Sequence, residues 1–131
     1  MSSFVPGLKG RAEAEVVFEN TAAAVGSGAL EVFATPSMIA LMEKAALESV
    51  QPYLEAGQGT VGISLDVAHL AATPVGMTVR AESELTEIDG RMLSFKVAAY
   101  AGSERIGEGT HKRCIVYNER FMAKALANRD N

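Results

Sequence analysis

Two titratable residues, Glu43 and His69, occupy positions where the local sequence pattern predicts apolar side chains. Glu43 lies on a helical pattern between Ile39 and Leu47, and His69 ends the apolar face of a strand-like run over residues 61–67. If helix and strand pack together, a carboxylate and an imidazole meet in a shielded pocket, where burial and charge tune the pKa of a general base. Periodicity alone favours a second interpretation, in which Glu43 lies on the surface at the edge of the apolar helix face and His69 caps a loop at the end of the strand.

A third candidate, Thr35, stands with Pro36 just before the helical pattern. Thr35 as the helix N-cap and Pro36 as the first helical residue is a favoured combination. Thr35 would then lie about 12 Å of helix rise from Glu43, too far for their side chains to touch. A helix capped later, at Ser37, would instead let Thr35 fold back toward Glu43, but the local pattern favours the N-cap.

Residues 57–62 match the G-x-G-x-x-G pattern and end in Gly62. A dinucleotide fingerprint must follow a strand and open a helix, whereas these glycines follow a helix and open a strand, so the pattern does not predict nucleotide binding. A glycine inside a strand allows a ligand to approach its backbone N–H closely. A strand bulge is an equally good interpretation of Gly62.

His111 and Arg113 share one face of a later strand with Ile115 and Tyr117. Arg113 could bind a carbonyl or a phosphate, although a solvated ion pair is the more usual role for such an arginine. Cys114, beside it, is expected to be a small half-buried hydrophobe.

The elements that must position these residues follow from the periodicities. The pattern predicts one strand, a flexible loop, a long helix, four further strands with a hairpin at Asp89-Gly90, and a short final helix. An antiparallel sheet with one long helix against a single face, an α+β fold, satisfies that order. The predicted ranges are 11–19, 20–30, 37–53, 60–70, 77–87, 91–101, 104–117 and 119–128.

Composition limits the class of protein. A length of 131 residues predicts a single domain. The 12 Lys+Arg against 16 Asp+Glu give a net charge of −4 with no basic stripe, so nucleic acid is not an expected partner. A single cysteine and two distant histidines predict neither a disulfide framework nor a metal site, and no cofactor is expected. No signal peptide or membrane-spanning segment is recognisable, which predicts a cytoplasmic protein without membrane contact.

From about Glu31 to Lys124 the chain resembles the fluoroacetyl-CoA thioesterase-like family of hotdog-fold proteins. The resemblance rests on the segments Val32-Phe33-Ala34-Thr35, Leu41-Met42-Glu43, Pro52-Tyr53-Leu54-Glu55, Val67-Ala68-His69, Ala71-Ala72-Thr73-Pro74, Asp89-Gly90-Arg91, Ile106-Gly107-Glu108-Gly109-Thr110-His111 and Asn118-Glu119-Arg120-Phe121.

This resemblance implies a hotdog fold, in which an antiparallel sheet wraps one long central helix, and a homodimer with active sites at the subunit interface. The family's catalytic residues match Thr35, Glu43 and His69, and its substrate-binding glycine and arginine match Gly62 and Arg113. The implied reaction is hydrolysis of an acyl-CoA thioester. Glu43 would be the general base or a nucleophile, and the Gly62 N–H would stabilise the oxyanion.

Two departures from the family bear on the substrate. The fluoroacetyl-CoA enzyme has aromatic residues before the Thr-containing segment, where this chain has Gly26-Ser27-Gly28-Ala29, and it has a glycine where this chain has Pro36. The sequence therefore predicts a thioesterase for small acyl groups without selectivity for a fluorinated one. A dimer that binds acyl-CoA or another small ligand without turnover is the main alternative function, and hydration or dehydration of an acyl thioester is a second.

Overall fold

In the computed structural model, which describes residues 5–130, five antiparallel strands form one sheet in the order β1-β3-β4-β5-β2. The long helix α2 packs on one face of this sheet, so the predicted α+β architecture is confirmed. None of the helices in these residues combines the length and apolarity that crossing a membrane requires. The elements are β1 Lys9–Glu15, α1 Ala22–Val25, α2 Thr35–Val50, β2 Gln58–His69, β3 Thr78–Asp89, β4 Met92–Ala101, β5 Glu104–Tyr117 and α3 Asn118–Ala127.

Helix α2 supplies the apolar stripe that covers the sheet. Its buried residues recur at helical spacing and pack with the inward residues of the strands. Ala34, in an extended conformation, is the N-cap, so Thr35 is the first helical residue and the predicted N-cap role of Thr35 is wrong. Pro36 takes the second helical position, where its missing N–H costs no hydrogen bond. The buried residues are Met38, Leu41, Met42, Ala45, Ala46 and Val50.

The segment predicted as a flexible loop over 20–30 contains a short helix, α1. The Thr21 side chain accepts a hydrogen bond from the Ala24 N–H at its start, and Gly26 ends it with a φ of 86°. Strand β1 ends at Glu15, earlier than the predicted end at residue 19, and Phe18 lies beyond the strand and is exposed.

Strand β2 forms one edge of the sheet and carries a bulge between Gly62 and Ser64. The bulge changes the alternation, which the sequence pattern predicted to be continuous from Val61 to His69. Gly62 lies opposite Arg113, whose side chain is buried, whereas Val61 lies opposite Cys114. Residues paired across two strands point to the same face of the sheet. Gly62 therefore points to the helix side together with Arg113, and Val61 points to the other face together with Cys114.

Candidate functional site

The first cluster of candidate residues is a pair formed by Thr35 and His69. Thr35 begins α2, His69 ends β2, and Thr35 Oγ1 lies 2.7 Å from His69 Nδ1. Burial lowers the pKa of His69 from its ordinary value, which favours a neutral imidazole at neutral pH. The Ala71 backbone, as a hydrogen-bond acceptor, acts on this pKa to a smaller extent in the opposite direction. Nε2 is buried and makes no hydrogen bond of good geometry among the described residues.

The second cluster joins Glu43, Gly62 and Arg113. Glu43 Oε2 lies 3.6 Å from Arg113 Nη1, and the Glu43 side chain is 36% exposed whereas that of Arg113 is 6% exposed. A Cβ at Gly62 would collide with Glu43 Oε2. The missing side chain of Gly62 is thus what leaves room for the carboxylate beside the strand.

Arg113 is buried and held by three polar contacts. Its Nε donates to Thr60 Oγ1 at 2.8 Å, its Nη2 donates to the Thr60 carbonyl at 3.0 Å, and its Nη1 lies 3.1 Å from His111 Nε2. The sequence pattern favoured a solvated ion pair, whereas the structure pairs Arg113 with Glu43 from within the core. A cation fixed on three sides can orient the carboxylate without moving itself.

His111 fixes the hydrogen-bond directions in this cluster. Its Nδ1 lies 2.9 Å from the Ser64 carbonyl, which can only accept, so Nδ1 carries the proton and Nε2 accepts from Arg113. The ring stacks on Phe95 with centroids 5.9 Å apart. Burial chiefly lowers the pKa of His111, and the neighbouring Arg113 charge acts in the same direction. His111 therefore serves Arg113 as a neutral acceptor.

Sequence reasoning did not assign Thr60 or His111 to the site. The signal for His111 is its position two residues before Arg113, on the same face of β5. Thr60 had no such signal, because its contact with Arg113 crosses from β2 to β5 and depends on the pairing of those strands.

The two clusters lie far apart within one chain. Gly62 and His69 are seven residues apart on β2, or about 20 Å at the rise of a strand. Thr35 and Glu43 are eight residues apart on α2, or about 12 Å. One chain therefore does not bring Glu43 and His69 into contact, and it holds the five candidate residues as two separate groups.

A cavity of about 840 Å³ lies on the sheet face opposite α2, away from both clusters. Arg80 and Arg105 flank the Tyr100 ring there, at 4.9 and 5.5 Å from its centroid, and each pairs with a neighbouring glutamate at 2.8 Å. These cations are already partnered, which is typical of a solvated charged face.

Among the described residues, no three His, Cys, Asp or Glu side chains are grouped to hold a metal ion.

Comparisons with known proteins point to one family. The family described as fluoroacetyl-CoA-specific thioesterase (FlK) matches residues 16–119. A fluoroacetyl-CoA thioesterase from Streptantibioticus cattleyicolor is 48% identical over 94 residues, which are 72% of this chain and 68% of the relative.

Solved structures agree with the architecture. A crystal structure of a mutant of the fluoroacetyl-CoA-specific thioesterase FlK is 36% identical with a TM-score of 0.91, covering 98% of this chain and 99% of the other. A thioesterase superfamily member from Thermus thermophilus is 26% identical with a TM-score of 0.90, covering 99% and 96%. A hot-dog-like protein from Thermanaerovibrio acidaminovorans, 22% identical with a TM-score of 0.86 and 98% and 94% coverage, agrees in fold. The hotdog fold predicted from the sequence is confirmed.

Proposed function

The chain belongs to the fluoroacetyl-CoA-specific thioesterase family of thioester hydrolases, and we propose that two copies of it together build an acyl-CoA hydrolysis site from Thr35, Glu43 and His69. The observation that carries this proposal is the separation of two incomplete clusters along one strand. One cluster offers a hydroxyl and a neutral imidazole, and the other offers a carboxylate beside a fixed cation. Each lacks the groups that the other holds.

The exposed edge of β2 supports pairing between copies. Gly62 to Asp66 are exposed along this edge, and the apolar residues Ile63 and Leu65 are 47% and 38% exposed. An unpaired apolar edge strand is a template for pairing with another chain. Antiparallel pairing of two β2 strands about a two-fold axis near Leu65 and Asp66 would place Gly62 of one copy beside His69 of the other. That symmetry creates two composite sites in each homodimer.

In the proposed reaction, water attacks the thioester carbonyl at this composite site. Glu43 either takes the proton from the attacking water or attacks the carbonyl itself to form an anhydride that water then opens. The Gly62 N–H donates to the developing oxyanion, a role in which one donor is worth about 3 kcal/mol. The C–S bond breaks, and the thiolate of CoA takes up a proton delivered through the His69 side of the site. Arg113 keeps the carboxylate oriented, and Thr35 orients the imidazole.

Thiol release from a panel of acyl-CoA thioesters tests the proposed function. The purified chain is mixed with fluoroacetyl-, acetyl-, butanoyl- and benzoyl-CoA, and free CoA is followed with a thiol reagent while the acid product is identified by mass spectrometry. Free CoA and free acid in equal amounts identify hydrolysis. If the protein binds these thioesters but releases no thiol from any of them, the proposal fails and the ligand-binding alternative replaces it. A changed acyl group that stays on CoA would instead identify hydration or dehydration.

Replacing Gly62 by alanine is expected to reduce kcat about 10²-fold. The new Cβ would displace the Glu43 carboxylate, and a displacement of about 1 Å in a reacting group costs roughly that factor. Gly62 has no positive φ, so alanine suits the strand backbone, but its Cβ would also lie 3.2 Å from Cε1 of the buried His111, and thermal unfolding is measured beside kcat. Ser64→Ala, on the exposed part of the same strand, is the matched control. Equal kcat values for Gly62→Ala and Ser64→Ala would contradict the placement of Glu43 beside Gly62.

As the pH is lowered, kcat/KM is expected to fall with a midpoint below pH 6.5, the ordinary pKa of histidine. Burial lowers the pKa of His69, so its imidazole stays neutral to a lower pH than a free histidine and protonates only as the pH falls through that lowered pKa. Protonation makes both ring nitrogens donors, so Thr35 Oγ1 can then only accept from His69, and it places a charge in the site. Rates are measured from pH 5 to 8 with one thioester at low concentration. An acid limb centred at or above pH 6.5 would contradict a buried neutral His69.

A further inference from the structure

A groove of about 370 Å³ opens directly onto the Thr35–His69 pair. Thr35 and His69 form part of its lining, and the third polar residue in it is Ser27. The remaining lining is apolar and consists of Ala22, Val32, Phe33, Leu70, Ala71 and Ala72.

The groove is formed by fixed backbone rather than by free loops. The Phe33 N–H donates to the Thr73 carbonyl at 2.8 Å, and the Ala22 N–H donates to the Val32 carbonyl at 2.9 Å. Gly26 and Ala23 complete the wall by bonding to the carbonyls of Ala22 and Leu30, both at 3.0 Å. The segment that borders the groove is therefore held in place before any ligand binds, as in most small-molecule sites.

The chemistry of the lining selects among the parts of an acyl-CoA. None of the groove's nine lining residues carries a charge when His69 is neutral, so neither phosphates nor an acyl carboxylate would find a cation there. The pantetheine arm has two amides that need hydrogen-bond partners, and Ser27 is the single polar side chain outside the Thr35–His69 pair. An uncharged hydrocarbon chain has no polar group that needs a hydrogen-bond partner, so it can bind against this apolar lining without such a cost.

The groove in one chain is much larger than a two-carbon acyl group. Such a group occupies roughly two water volumes, about 60 Å³, which is a small part of the groove. The small side chains of Ala22, Ser27 and Ala72 are what leave the rest open. We propose that the groove binds the acyl chain of the substrate and selects neutral apolar acyl groups of about four to eight carbons. This inference rests on the proposed thioester hydrolysis and adds the class of the acyl group, which is larger than the small acyl group that the sequence predicts.

The test measures kcat/KM for a matched series of thioesters with the purified full chain. The series is acetyl-, fluoroacetyl-, butanoyl-, hexanoyl-, octanoyl- and succinyl-CoA. Hexanoyl-CoA is expected to exceed acetyl-CoA by at least about tenfold, because each buried methylene adds favourable transfer free energy. Succinyl-CoA is expected to fall at least about tenfold below butanoyl-CoA, because its carboxylate would enter an uncharged groove.

Variants that fill the groove separate acyl binding from general effects. Ser27→Phe and Ala72→Phe both place a large ring at an exposed lining position, and each is expected to remove the advantage of hexanoyl-CoA over acetyl-CoA in kcat/KM. Ala24→Phe, exposed on helix α1 and outside the lining, is the matched control and should leave the profile unchanged.

Two outcomes overturn the inference alone: a preference for acetyl- or fluoroacetyl-CoA over hexanoyl-CoA, and the same profile for both groove variants as for Ala24→Phe. Hydrolysis of none of the six thioesters would instead overturn the proposed function, and the acyl assignment would fall with it.

Discussion

Replacing Glu43 by glutamine is expected to lower kcat for acyl-CoA hydrolysis by about 10³-fold. The amide keeps the shape of the side chain but can neither accept the proton of water nor attack a carbonyl, and positioned acid–base groups contribute roughly 10² to 10⁴ in rate. The variant also loses the charge that attracts Arg113, which lies 3.6 Å away. We therefore expect the loss in kcat, with little change in KM, because Glu43 acts on the reacting atoms rather than on the acyl chain.

Glu48→Gln is the matched control for this variant. It makes the same change on the same helix at an exposed position, where no ion pair is found among the described residues. Both variants should unfold at nearly the wild-type temperature, because Glu43 is more than one third exposed and its pair with Arg113 contributes little to stability. A Glu43→Gln enzyme with more than a tenth of the wild-type kcat would remove Glu43 from the chemistry and favour a role in binding.

The sequence predicted helices and strands well where a single hydrophobic period continued through the whole element. Strand β5 runs from Glu104 to Tyr117 as predicted, and the Asp89-Gly90 hairpin joins β3 to β4, with Gly90 at a φ of 63°. These features depend on residues adjacent in the chain, which alternation and turn chemistry report directly. The start of α2 was harder to predict. Threonine is a favoured N-cap residue, which pointed to Thr35, but the N-cap is Ala34.

The arrangement of the candidate site was much less predictable. Glu43 and His69 stood out because each interrupts an apolar pattern, yet no pattern states how far apart two such residues lie. Their separation depends on where α2 crosses β2 and on the one-residue bulge after Gly62. Arg113 shows the same limit. Its burial depends on Thr60 from a neighbouring strand, a contact that only the strand register creates.

The separation of the clusters leads to a test of how the site is divided between copies. A Glu43→Gln copy keeps an intact Thr35–His69 pair, and a His69→Asn copy keeps an intact Glu43–Arg113 cluster. If a site draws one cluster from each copy, a mixed dimer has one undamaged site and one site with both defects. Each variant alone has no undamaged site.

Mixed dimers of Glu43→Gln and His69→Asn are accordingly expected to regain about half the wild-type rate per dimer, since one of two symmetric sites is intact. The two copies carry different affinity tags, and the mixed species is isolated by two successive purifications before thiol release is measured. The matched control is the mixed dimer of Thr35→Ala and His69→Asn, in which both defects affect the same cluster and every site keeps one of them. Activity in the first mixed dimer but not in the second can arise only if Glu43 serves the Thr35–His69 pair of the other copy. A mixed dimer no more active than its parents, or a chain that stays monomeric during catalysis, would show that the two clusters do not form one site.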